Sequence, residues 1–139
     1  MKHFGSTVEF TEARNADLMR VYRSKIAQAK HIVVTDIFRE VALSPSRRFW
    51  VSEERAAVVI AAMEAGKSID YMTPNKRLMF EEIYRRYVLA RQNDKTTALC
   101  RLVADIVNQP APQFYLTVRS VAEFIYRMKN KWYDRRRKH

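Results

Sequence analysis

The chain has almost no backbone punctuation: two glycines and four prolines among 139 residues. An all-β domain needs turn residues at roughly every 8–12 positions, so this scarcity excludes many short strands and predicts a few long helices. One cysteine, Cys100, rules out an intrachain disulfide. Together with His3, His31 and His139, far apart in the chain, it supplies too few ligands for a zinc cluster, so neither a metal site nor a cofactor is expected. Cys100 itself reads as a buried, inert thiol. Gly5 and Gly66 are isolated and make no glycine-rich phosphate loop. The longest apolar run, Ala56 to Met63, falls far short of a membrane span, and MKHFGSTVEF lacks the apolar segment of a secretory signal. A cytoplasmic protein without a membrane partner is the expectation. Acidic residues are scarce too: 15 against 26 basic ones, a net charge of +11.

What is present is apolar surface for a core, 47% hydrophobic and 12% aromatic residues, and a chain that matches itself at an offset of 65. Arg20 falls on Arg85, Tyr22 on Tyr87, Lys30 on Lys95, Pro45 on Pro110 and Phe49 on Phe114. Ala57 falls on Ala122, Ile60 on Ile125 and Met63 on Met128. Trp50-Val51-Ser52 faces Tyr115-Leu116-Thr117, an aromatic, an aliphatic and a hydroxyl in both copies. The period matches no common solenoid, so it points to a duplication.

Ser6 and Glu9 have capping-box spacing and predict a helix to about Lys30, with Leu18, Val21, Tyr22, Ile26 and Ala29 as its apolar stripe and Arg14, Arg20 and Arg23 off it. Ile32-Val33-Val34-Thr35 reads as strand or helix. The matching stretch around Leu102, Val103, Ile106 and Val107 has helical spacing and decides for helix in both copies. Ser52 and Thr117 read as N-caps, Gly66 as the residue after a helix, and Thr73-Pro74 as the opening of a helix to about Asn93. Glu81–Arg85 and Glu82–Arg86 stand at i,i+4. The expected fold is all-α, with about six helices in two tandem three-helix, helix-turn-helix-like units, quasi-repeat 7–66 and 73–131. They form one compact domain, 1–139, with a basic C-terminal helical extension, 129–139.

That extension holds six basic residues and one aspartate, a net +5. Arg119, Arg127, Lys129, Lys131, Arg135, Arg136, Arg137 and Lys138, interleaved with Tyr126, Trp132 and Tyr133, form the candidate nucleic-acid-binding set. Val121, Ile125, Met128 and Trp132 make the inward stripe of the same helix, which turns Arg119 and Arg127 outward. A basic helix with a basic extension suits the phosphates of a duplex. Arg47 and Arg48, beside Phe49-Trp50, are secondary candidates for clamping a phosphate. Phe49 and Phe114, matched in the repeat, read as core. The helix starting near Ser52 is acidic and then alanine- and valine-rich, so the second unit is expected to carry the binding. No catalytic motif is present. The sequence therefore points to a non-enzymatic protein that binds nucleic acid, DNA before RNA, mainly through phosphates. A protein–protein assembly module or self-association is the alternative, and an RNA-binding protein a further one. The segment Leu102 to Met128 is similar in outline to the helix-turn-helix of small DNA-binding domains, although PAPQFY is longer than the usual tight turn.

Overall fold

The computed structural model describes the backbone of residues 3–137 and the side chains of residues 10–130. Among the described residues the fold is all-α, with six helices: α1 (His3–Gln28), α2 (Val34–Ala42), α3 (Glu53–Glu64), α4 (Pro74–Asn93), α5 (Leu99–Val107) and α6 (Val118–Arg137). Their limits keep the 65-residue offset. α1 and α4 end at 28 and 93, α2 and α5 run 34–42 and 99–107, and α3 and α6 start at 53 and 118.

Local chemistry accounts for these limits. Ser52 Oγ accepts from the Arg55 N–H at 3.0 Å, and Thr117 Oγ1 from the Ser120 N–H at 3.1 Å, so each hydroxyl satisfies a first-turn donor. Pro74 occupies the first turn of α4, where its missing N–H costs nothing. α3 closes in a Schellman motif: the Gly66 N–H bonds the Met63 carbonyl and the Lys67 N–H the Ala62 carbonyl, both at 2.9 Å. Gly66 has φ +85, the left-handed conformation that motif requires.

Three local expectations are corrected. Ser6 lies inside α1, which already runs from His3, so it is not the cap; once a helix exists, each upstream residue adds one more bond at little cost. The apolar stretch at 32–35 is divided. Val33 is extended (φ −107, ψ 106) and α2 begins at Val34. Arg85 pairs with Glu82 at 2.7 Å instead of Glu81, because the Glu82 carboxylate has two oxygens and receives Arg85 and Arg86 together.

The chain divides into two compact units, residues 1–46 with 112–139 and residues 47–111. In the first, α1, α2 and α6 pack on one another; in the second, α3, α4 and α5 do. The third helix of each copy is therefore exchanged relative to a tandem arrangement: α6 completes α1 and α2, and α3 completes α4 and α5. The helices of the expected helix-turn-helix at Leu102 to Met128, α5 and α6, belong to different units. The cause is the connector. Ten residues, 43–52 or 108–117, join the second helix of each copy to the third, and a reach of that length leaves the choice of packing partner to long-range burial.

The same fastening recurs in each unit. The Phe114 N–H donates to the Ala42 carbonyl at 3.2 Å in the first, and the Phe49 N–H to the Val107 carbonyl at 3.0 Å in the second. Phe114 and Phe49 are 3% and 0% exposed, in the packing role expected of them. The first core contains Leu18, Val21, Ile37, Phe38, Val41, Val121 and Ile125; the second contains Ile60, Met79, Phe80, Ile83, Leu102, Val103 and Ile106. Each such side chain contributes about 1.5–3 kcal/mol. Cys100, expected to be buried, is exposed. It sits in the first turn of α5, three residues before Val103, at the edge of the face that Leu102, Val103, Ile106 and Val107 bury.

Candidate nucleic-acid interface

Helix exchange redistributes the charge. The unit built from 1–46 and 112–139 carries fifteen basic and seven acidic residues, a net +8; residues 47–111 carry eleven and eight, a net +3. The basic end of the chain thus joins α1 and α2, not the other helices of its own copy.

Within that unit α6 presents two faces. Val121 and Ile125 are fully buried. Arg119, Glu123, Tyr126, Arg127 and Asn130 lie on the exposed side. The Arg119 side chain is 90% exposed and meets Glu123 Oε1 at 3.4 Å, a pair too open to water to hold it firmly. Tyr126 is half exposed; its ring makes an edge contact with buried Phe38 on α2, centroids 5.9 Å apart. Arg127 stands above Phe124 on the same helix, its guanidinium carbon 6.0 Å from the ring centroid.

Lys129 is placed differently from the rest of the set. Its Nζ donates to Tyr22 Oη on α1 at 2.8 Å and lies 4.7 Å from that ring's centroid. It fastens α6 to α1, with the ammonium held by a hydroxyl and a π face. The side chains of Lys131, Arg135, Arg136 and Arg137 lie outside the described residues, as does Lys138 altogether; α6 as a helix reaches Arg137.

Arg47 is exposed in the loop before α3. Arg48 has its donors committed. Nε gives to the Phe49 carbonyl at 3.0 Å, Nη2 to the Val51 carbonyl at 2.9 Å and Nη1 to Asn108 Oδ1 at 3.1 Å, and the group faces the Trp50 ring at 5.6 Å. Burial pushes this guanidinium below its ordinary pKa, while the nearby Glu53 carboxylate pulls it back. Arg48 ties the loop to the end of α5, where Asn108 Nδ2 also donates to Glu53 Oε1 at 2.9 Å. Arg86 does similar work, reaching Glu82, the Pro110 carbonyl at 3.1 Å and the face of Phe49 at 4.9 Å.

An open pocket of about 430 Å³ lies in the second unit, lined by Glu64, Tyr87, Val88, Arg91, Gln92 and Lys95. Under the offset, Glu64 and Tyr87 correspond to Lys129 and Tyr22, so the lysine has no counterpart at its own position; Arg91 covers the tyrosine instead, its guanidinium carbon 5.4 Å from the Tyr87 ring centroid. Arg91 is spent on Tyr87 Oη and on the Asp94 and Thr97 carbonyls.

Arg14, assigned to the outer side of α1 by sequence, is half-buried, with its guanidinium carbon 4.0 Å from the Phe124 centroid. It stands four residues before Leu18 and so continues the stripe; that spacing was the available signal. Among the described residues no helix is long and apolar enough to cross a membrane. No family model, curated protein or solved structure matches the chain.

Proposed function

We propose that the protein is a small, non-enzymatic nucleic-acid-binding protein of the cytoplasm, with duplex DNA as its preferred partner. It binds mainly through phosphates, using the outer face of α6 and the basic residues that follow Asn130. The observation that carries this reading is the net +8 gathered in the unit of α1, α2 and α6. Such a concentration releases counterions from a polyanion, and the release is the sequence-independent part of affinity. Exposed Arg119, Tyr126, Arg127 and Asn130 supply guanidinium, phenol and amide groups on one helix face, all suited to phosphate and sugar. Lys129 and Arg48 leave the binding set, because they serve α6–α1 packing and the loop before α3.

The test is fluorescence anisotropy with labelled duplex DNA at two salt concentrations, on the full chain and on a chain ending at Asn130. The shorter chain keeps Lys129 on Tyr22. The full chain binds with a steep salt dependence. The shorter one binds more weakly, with a salt slope reduced by about one for every phosphate that residues 131–139 neutralise. Equal binding by both removes residues 131–139 from the interface. Duplex RNA as competitor separates the two nucleic acids. Adjacent exposed Ile32, Val33 and Val34, 56%, 55% and 45% accessible, favour a second reading, in which the partner is a protein. A defined oligomer by light scattering that ignores DNA and RNA in dilute buffer decides for it.

A further inference from the structure

If two units share one plan, a site should show where they depart from it. Under the 65-residue offset Arg14 corresponds to Met79, Phe124 to Val59 and Arg127 to Ala62. The second unit uses these positions for plain packing: Met79 and Val59 are 8% and 4% exposed. The first unit instead sets two guanidinium groups around one ring. Their carbons lie 4.0 and 6.0 Å from the Phe124 centroid, hence at most 10 Å from each other.

Among the described residues, neither guanidinium meets a carboxylate. Arg20, Arg39, Arg85, Arg86 and Arg119 each meet one. Arg14 gives Nη2 to the neutral Asn15 Oδ1 at a long 3.3 Å, and its Nε is buried without a hydrogen-bond partner. Burial without an acid is unfavourable enough to push this guanidinium below its ordinary pKa. Met79 demonstrates that the fold has a cheaper way to fill the position. A charge kept at cost, next to a second like charge on a fixed aromatic support, is matched by an anion with several oxygens, and the guanidinium fork suits phosphate oxygens.

We propose that Arg14 and Arg127, held on Phe124, form a phosphodiester-binding site in the unit of α1, α2 and α6. The proposal rests on the nucleic-acid reading and names where one backbone phosphate sits. Phe124 is a positioning residue: it orders both forks and contributes no charge.

The test uses the full chain, with Arg14→Met and Arg127→Ala together, the residues of the second unit, and Arg127→Ala alone. Arg127 is exposed, so its removal leaves folding intact, and a melting temperature at or above the unsubstituted protein's confirms folding of the double variant. Binding to labelled duplex DNA weakens about tenfold in the double variant and its salt slope falls by about one; Arg127→Ala gives part of both effects. A double variant that binds as the unsubstituted protein does overturns the site and leaves the nucleic-acid reading standing. If the unsubstituted protein binds neither DNA nor RNA, that reading falls, and calorimetry with inorganic pyrophosphate decides the site. Heat that disappears in the double variant retains it as a site for a free phosphate compound. Absence of heat in the unsubstituted protein ends it.

Discussion

Gly66 shows how much one residue decides. Its φ of +85 lets the Lys67 and Gly66 N–H groups turn back onto the last carbonyls of α3. A Cβ there would meet no atom within 4 Å, so Gly66→Ala adds backbone strain without a clash. The expected loss is about 1–2 kcal/mol in urea unfolding. Ser52→Ala, which orphans the Arg55 N–H, should cost about 1 kcal/mol in the same measurement. Both residues were legible in sequence because caps depend on neighbours three or four positions away. Cys100 and Arg14 were misjudged because their exposure depends on which helices arrive beside them. Tyr115, at φ 57, is a strained aromatic in the loop before α6, and nothing in its neighbours announces that conformation.

At the scale of an element, α4 is held by a carboxylate with two partners. Hydrogen bonds from Arg85 first, then Arg86, hold the Glu82 carboxyl down at about 2, against partial burial that would raise it. Its offset counterpart is the Asp17–Arg20 pair at 2.6 Å on α1, with Asp17 almost fully buried. A depressed carboxyl contributes stability fully above its ordinary value of 4.5, and that contribution disappears as pH falls towards 2. Glu82→Gln should therefore lower stability at neutral pH and flatten its decline on acidification over that window, read from denaturant midpoints at several pH values. A decline as steep as in the unsubstituted protein would exclude Glu82 as its source. The Asp94 carboxyl, held down to about 2 by the Thr97 hydroxyl and then the Thr97 and Thr96 amides, titrates over the same window and leaves a residual slope.

The whole molecule is a contiguous unit, residues 47–111, inserted along the chain into a discontinuous one, residues 1–46 and 112–139. Expressed alone, residues 47–111 retain α3, α4 and α5 and should show helical circular dichroism and a cooperative thermal transition, although a chain that short is marginal. Residues 1–46 alone lack α6, expose Phe38 and Val41, and should show no cooperative transition. The reverse result would contradict the exchanged packing and restore the tandem one.

Composition and local spacing by themselves determined the helical class, the caps at Ser52 and Thr117, the end at Gly66, the matched limits of α2 and α5, and a net charge of +11. These follow from hydrogen bonds and side-chain periodicity within a turn or two of each residue. Tertiary structure alone decided that α6 packs on α1 and α2, that Lys129 reaches Tyr22 across 107 residues, and that Arg14 meets Phe124. Ten-residue connectors permit more than one partner for each third helix, and the choice is made by burying surfaces that lie far apart along the chain.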